Sequence, residues 1–245
     1  EGRAGVPQNP FLQVAGAVLS IRPTENLSFH AGGWTCVNAG NGGMVDYDWA
    51  FGPPDWSDRS ISDVEVISSY MADVNVAYRF IHARWFSLSA VLGYKQDYWE
   101  WEDSVVEFLY SVYGFRDYDE VGDGSNMIDY DQLFQIPYLG LDSSLAWGSF
   151  TLNAYVLYSP LVVAEDNDYH ILRDIHFTET FSGGTYFAGG VAAQYDITSA
   201  LFIAAAFDVQ SIPEFTGDME LTDELGDTYS FSDSAGISHF SGMLS

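Results

Sequence analysis

Apolar and polar residues alternate with a period of two along most of this chain, and helical periodicity is scarce. Between Leu88 and Tyr98 most even positions are apolar or aromatic, whereas most odd positions are small, polar or charged. The alternation returns at residues 74–80, 150–162 and 201–210. Successive side chains of a β-strand point to opposite faces, so this pattern predicts strands with one apolar and one polar face.

The alternation predicts nine strands, at residues 11–22, 26–37, 62–80, 85–103, 129–147, 149–165, 171–196, 199–218 and 226–241. Several are much longer than the average strand of about five or six residues. Short links at 147–149 and 196–199 contrast with longer stretches rich in Gly, Asp, Ser and Pro at 38–61, 102–128 and 211–230. Short turns at one end and long acidic loops at the other are typical of an outer-membrane β-barrel.

The alternative fold is a soluble β-sandwich, whose strands also alternate. Three features favour the barrel: long strands, polar opposite faces, and aromatic residues near the ends of the apolar faces, like interface girdles. We assign to these girdles Trp85, Tyr94, Tyr98, Trp99 and Trp147. The prediction is therefore an all-β fold, a single transmembrane antiparallel β-barrel domain over residues 1–245.

The charge balance narrows the partners that the protein can have. The chain carries 35 acidic and 8 basic side chains, a formal net charge of −27 at pH 7. Nucleic acid is excluded because phosphate binding needs a surface of Lys and Arg, whereas a cationic partner is favoured. The single Cys36 excludes an intrachain disulfide and a Cys-based zinc site, and nothing in the sequence implies a metal or organic cofactor.

Two short motifs about 120 residues apart carry the candidate chemistry: Asp46-Tyr47-Asp48 and Asp168-Tyr169-His170. Residues i and i+2 of an extended strand project to the same side, so each motif aims two titratable groups at one spot. If the fold brings the two segments face to face, a carboxylate couple meets a carboxylate–imidazole couple. Such a site can act as a general base that activates a water molecule.

The segments GGMVDYDW and EDNDYH resemble those of the omptins, the outer-membrane endoproteases of Gram-negative bacteria. Further blocks agree in order and approximate spacing; they are HAGGWT (30–35), DWSDRS (55–60), LGY (92–94), YGFRD (113–117) and IPYLGL (136–141). The resemblance runs from about residue 26 to 200 and more loosely to the C-terminus. It implies a barrel of about ten strands in the intact protein, with a catalytic groove at its outer rim.

The resemblance also assigns roles to individual residues. It implies four catalytic positions, Asp46, Asp48, Asp168 and His170, with a water held between the two couples. His170 is then the general base, and Asp168 orients it and stabilises the imidazolium, as an Asp does beside His in other hydrolases. Asp46 and Asp48 hold the water and the developing charge, sharing a proton if they lie close together.

Omptins prefer to cut beside basic residues, so the implied substrates are basic polypeptides cleaved next to Arg or Lys. Asp166 matches an acid of the family's primary pocket, and Asp58 matches another acid lining the groove. A buried carboxylate gives this preference a physical reason, since it forms charge-assisted bonds to a guanidinium. A second acid of the primary pocket is expected from a segment N-terminal to this chain.

Two departures from the family pattern are expected. The first strand and the end of the last strand look absent from this chain. Omptins also contact lipopolysaccharide phosphates through outward-facing arginines, but the aligned positions here are Tyr98 and Leu133, with Tyr94 retained. Outer-membrane lipid is therefore an expected partner. The family's contact with lipopolysaccharide is not predicted for this chain, because the arginines that make it are not matched.

Other interpretations exist for several residues. A serine nucleophile at Ser57 or Ser60 is disfavoured, because neither lies in a GxSxG elbow. A calcium site in the acidic stretch before His170 lacks the Gly and distal Glu of an EF-hand loop. His239 has no acid at a useful spacing and is expected at the surface or rim.

The resulting prediction is an endopeptidase in the outer membrane of a Gram-negative bacterium, with its active site facing outward. Two alternative predictions belong to other functional classes of protein. One is a catalytically silent barrel that acts as an adhesin or porin; the other is a soluble acidic β-domain that binds basic peptides.

Overall fold

The computed structural model describes residues 12–38, 40–48 and 54–245, and within them it contains eleven β-strands and a short 3-10 turn at Ile171–Arg173. The strands are β1 Val14–Ile21, β2 Leu27–Cys36, β3 Asn41–Asp48, β4 Asp58–His82, β5 Phe86–Tyr110, β6 Tyr118–Val121, β7 Ile128–Trp147, β8 Phe150–His170, β9 Ile175–Asp196, β10 Phe202–Thr222 and β11 Thr228–Leu244. No helix in these residues is long and apolar enough to cross a membrane.

Nine strands are successive hydrogen-bonded neighbours, in the order β1, β2, β4, β5, β7, β8, β9, β10 and β11. Every pairing between them is antiparallel. Each corresponds to one of the nine strands that the alternation predicts. The two extra strands, β3 and β6, lie off this path and pair with β4 and β5.

The extra strands continue their neighbours rather than adding to the width of the sheet. β2 pairs with the second half of β4, starting with Leu27 opposite Tyr78, and β3 pairs with the first half, starting with Asn41 opposite Glu65. β6 and β7 are likewise arranged end to end along β5. The sheet therefore consists of nine long strands, two of which are interrupted.

A buried aspartate stabilises the interruption between β6 and β7. Asp103 Oδ1 accepts the backbone N–H groups of Met127 (2.9 Å) and Ile128 (2.8 Å). Its Oδ2 accepts the hydroxyl of Ser62 in β4 (2.6 Å). These bonds satisfy donors at the start of β7 that the strand ladder leaves free, so they hold β7 in place beside β5.

Side chains from strands far apart in the order meet inside the sheet. β5 and β11 are five places apart, yet the rings of Trp99 and His239 lie 5.6 Å apart. Gln210 of β10 donates from Nε2 to Asp97 Oδ2 of β5 (2.9 Å). The sheet therefore curls around these side chains, and its interior and exterior faces are distinct, as in a β-barrel.

The two faces carry the composition that the alternation predicts. Apolar side chains cover the outer face; among them are Leu92 (64% exposed), Val156 (59%) and Ile203 (64%). Phe134 and Ile136 of β7 are fully buried on the inner face. An exposed apolar band of this extent suits a barrel surrounded by lipid.

Three side chains lie on the opposite face from the one predicted. Trp99, predicted in an outer girdle, and His239, predicted at the surface or rim, contact each other inside the barrel. Val162, predicted on the same face as Phe150, is fully buried, because a register shift after Ser159 reverses the alternation there. A bulge of this kind leaves no clear signal in the pattern of apolar residues.

The predicted long loops are also shorter than expected. Much of 38–61, 102–128 and 211–230 is strand, since β5 extends to Tyr110 and β10 to Thr222. Acidic residues in these stretches obscure the alternation without preventing strand formation. The strands consequently project further at the end of the sheet that carries the longer connections.

Candidate active site

The candidate site begins where β8 ends, at the end of the sheet with the longer connections. Alternation along β8 places Asp166, Asp168 and His170 on the same face as buried Ala164. Asp166 is only 2% exposed. The structure therefore brings these three predicted residues together on the inner face of the barrel wall.

Asp168 and His170 form a hydrogen-bonded dyad. His170 Nε2 lies 3.1 Å from Asp168 Oδ2, and the two side chains are 12% and 27% exposed. The imidazole packs edge-on against Phe177 of β9, with ring centroids 5.1 Å apart. The aromatic wall and the carboxylate fix the orientation of the imidazole, as a general base requires.

The second ring nitrogen of His170 is occupied. Arg173, in the 3-10 turn after β8, donates from Nη2 to His170 Nδ1 (2.6 Å). A guanidinium can only donate, so Nδ1 accepts with its lone pair and Nε2 carries the hydrogen given to Asp168. Nδ1 is therefore not available to another donor while Arg173 occupies this position.

A second acid lies beneath the dyad. Glu179 of β9 is directly opposite Asp166 of β8. Burial raises the pKa of Asp166, and burial together with the nearby Asp166 carboxylate raises the pKa of Glu179. Sequence reasoning missed Glu179; its signal was an acid between Phe177 and Phe181, on the buried face of β9.

Tyr130 of β7 lies beside these two acids. We call Asp166, Glu179 and Tyr130 together the acidic pocket. Its hydroxyl donates to Asp166 Oδ2 (2.7 Å), and its ring packs on that of Trp101, with centroids 4.4 Å apart. Burial and the charge of Asp166 raise the pKa of Tyr130, so the phenol keeps its proton. Asp166 Oδ1 and Asp168 Oδ1 are both buried and have no hydrogen-bond partner among the described residues.

The other predicted couple lies on β3. Asp46 is opposite Ser60 and the Asp48 backbone is opposite Asp58, at the first half of β4. The side chain of Asp48 lies outside the described part of the structure. The path through the sheet from β3 to β8 passes through β4, β5 and β7, so the two motifs occupy separate walls at the same end.

Asp58 helps to tie β4 to the end of β5. Its Oδ1 accepts the backbone N–H of Ser111 (2.7 Å), and its Oδ2 accepts the hydroxyl of Ser57 (2.6 Å). Ser57 is fully buried and its hydroxyl is committed to this bond, which does not suit a nucleophile. No cluster of three His, Cys, Asp or Glu among the described residues is arranged to hold a metal ion.

Comparison with known proteins places this geometry in a family. The family model described as "Omptin family" matches residues 11–245, nearly the whole chain. The chain belongs to the omptin family. This confirms the resemblance drawn from the GGMVDYDW and EDNDYH segments.

Individual relatives also support the assignment to the omptin family. The chain is 30% identical over 227 residues to the plasminogen activator of Yersinia pestis, covering 90% of this chain and 72% of the relative. It is 32% identical over 179 residues to the outer membrane protease OmpP of Escherichia coli K12, covering 70% of this chain and 56% of the relative. The crystal structure of the Escherichia coli outer membrane protease OmpT matches with a TM-score of 0.88 at 23% identity, covering 95% of this chain and 81% of that one. The structural likeness confirms the β-barrel fold.

Proposed function

We propose that this omptin-family outer-membrane protease hydrolyses peptide bonds next to Arg or Lys, with a water activated by the Asp168–His170 dyad opposite the Asp46–Asp48 couple. The observation that carries the proposal is the dyad itself, with its 3.1 Å contact, set directly above the buried Asp166. A base and an acidic pocket on one wall suit cleavage beside a positive side chain.

The proposed reaction uses ordinary general acid–base chemistry. His170 takes a proton from water while the oxygen attacks the scissile carbonyl carbon, and Asp168 stabilises the imidazolium that forms. His170 then gives its proton to the leaving nitrogen as the C–N bond breaks, which yields a carboxylic acid and an amine. Asp46 and Asp48 are assigned to hold the water from the opposite wall.

The proposed specificity depends on unsatisfied buried oxygens. The buried Asp166 Oδ1 has no donor among the described residues, and an entering guanidinium or ammonium supplies charge-assisted hydrogen bonds. Asp58, the register partner of Asp48, is proposed as a groove acid that attracts a flanking basic residue. The net charge of −27 also attracts basic polypeptides over longer range.

The active site is proposed to face outward from the cell. Support comes from the direction of the strands, since the dyad lies at the end with the longer connections, and in outer-membrane barrels the short turns are periplasmic. Apolar residues on the outer face, such as Leu139 and Val156, belong to the lipid-covered part of the same wall.

The test is cleavage of an internally quenched Arg-Arg or Arg-Lys peptide by the full chain in detergent. We expect His170→Ala to lower kcat by about 10² or more, the usual scale for removing a general base. His82→Ala, which changes an exposed histidine at the short-turn end, is the matched control and should keep the wild-type rate. Equal rates for the His170 variant and wild type would remove His170 from the mechanism. No cleavage by wild type would favour the silent barrel.

A further inference from the structure

The acidic pocket holds a carboxyl that the proposed reaction does not use. Glu179 and Asp166 are direct cross-strand partners, so both side chains project from adjacent strands onto the inner face. The two carboxyls are close enough for the charge of Asp166 to act on Glu179. On its other side Glu179 is opposite Met219 of β10, which packs against the apolar core. An acid and an apolar side chain are therefore its immediate neighbours.

The pair has no basic partner of its own. Within residues 12–38, 40–48 and 54–245, no Lys, Arg or His forms an ion pair with Glu179 or Asp166. The other ionisable groups that face the pair are Tyr130 and Asp131 of β7 and Asp168 of β8, and none of these is cationic. The protein thus buries negative charge here without supplying the positive charge to balance it.

A buried carboxyl and an adjacent half-buried one, without a cation between them, do not both ionise readily near neutral pH. Burial raises the pKa of both groups, and the charge of Asp166 raises that of Glu179 further. The two therefore titrate as a coupled pair, and the pair holds one proton between them.

We propose that Glu179 is a specificity-determining residue, and that its pair with Asp166 holds one proton in the empty pocket and releases it to water when a guanidinium or ammonium group enters. This inference rests on the proposed function and deepens it. A bound cation offsets the free-energy cost of losing the shared proton, because it offers donors to both carboxylates and to the unpartnered Asp168 Oδ1. A neutral side chain of the same shape leaves the proton in place and gains none of these bonds.

The first experiment separates binding from chemistry. Wild type, Glu179→Gln and the control Glu165→Gln are assayed with two quenched peptides that differ only by Arg or neutral citrulline beside the scissile bond. Glu165 is an exposed acid of the same strand as Asp166, on the opposite face. For wild type with the Arg peptide, we expect KM to fall as the pH rises, by up to about tenfold per pH unit, because the Asp166–Glu179 pair loses its proton over this range.

Glu179→Gln should flatten this profile and raise KM for the Arg peptide about tenfold, while kcat stays within about twofold. A purely structural role would not change the pH dependence of KM alone. Glu165→Gln should behave as wild type. An unchanged KM profile in Glu179→Gln would overturn the inference.

The second experiment counts the proton directly. Binding of the Arg peptide to His170→Ala is measured by calorimetry at about pH 7, in two buffers of different ionisation enthalpy. We expect close to one proton released per peptide, and close to none when Glu179→Gln is added. Peptide binding without proton release would overturn this inference and leave the proposed function standing. Failure of wild type to cleave the Arg peptide would instead overturn the proposed function.

Discussion

Two buried aspartates of this barrel have opposite surroundings. Asp97 of β5 pairs with Lys95 (3.1 Å) and accepts a hydrogen bond from Gln210 (2.9 Å). Asp166 of β8 faces another acid, Glu179, and has no cationic partner among the described residues. A buried carboxylate with its own cation is already balanced, whereas one without a cation is available to a cation from outside. Local charge balance, rather than burial, therefore distinguishes the structural acid Asp97 from Asp166, the acid proposed to bind substrate.

Removing the cation from the interior pair should have the largest effect on stability. Lys95→Met leaves Asp97 buried and unpaired, which costs about 3–5 kcal/mol for a buried ion pair. Unfolding by urea in detergent, followed by tryptophan fluorescence, measures this loss. Arg84→Met, at an exposed turn, is the matched control.

The same measurement on Asp166→Asn should show a much smaller loss, because no cation is left unpaired in the pocket. Comparable losses for Lys95→Met and Asp166→Asn would contradict the distinction between the two acids.

Arg173 is a cation near the pocket, and it donates a hydrogen bond to His170 Nδ1. Since His170 Nδ1 is not available to another donor while Arg173 occupies this position, Arg173→Ala should raise kcat/KM about fivefold. This corresponds to about 1 kcal/mol for an exposed charge-assisted contact. Peptide cleavage measures the change, with Arg84→Ala as control. A fall in kcat would mean that Arg173 positions the imidazole instead of covering it.

The smallest expected effect is on the pH dependence of stability. The pKa of Glu179 is raised in the folded protein, so its protonated form stabilises the fold. That stability is fully present below the ordinary Glu pKa and is lost as pH rises through the raised value. Wild type should therefore lose about 1 kcal/mol more than Glu179→Gln between about pH 5 and about pH 9. Urea titrations at both pH values test this, and parallel curves would count against the shared proton.

Much of the fold could be predicted from the sequence. The two faces of a barrel wall differ in polarity, so apolar and polar residues alternate along each strand. Leu92 and Val156 are exposed on the outer face as that pattern requires. The pattern failed where strands are interrupted or bulged, as at Val162, because alternation reverses there without any change in composition. It also failed for Trp99 and His239, whose partners lie on distant strands.

The candidate site could be predicted only in part. Local spacing placed Asp168 beside His170, since i and i+2 share a face of a strand. Glu179 could not be predicted in the same way, because its contact with Asp166 depends on the β8–β9 register. The roles of Asp46 and Asp48 remain predictions, since they require the β3 wall to face the β8 wall across one groove.

The central claim is that Asp166 receives the positive charge of the substrate. The most direct test is the ratio of kcat/KM for the Arg peptide to that for its citrulline analogue, in wild type and in Asp166→Asn. We predict a wild-type ratio of about 10² or more, which falls to within a few-fold of unity in the variant. A ratio that survives the substitution unchanged would contradict the account.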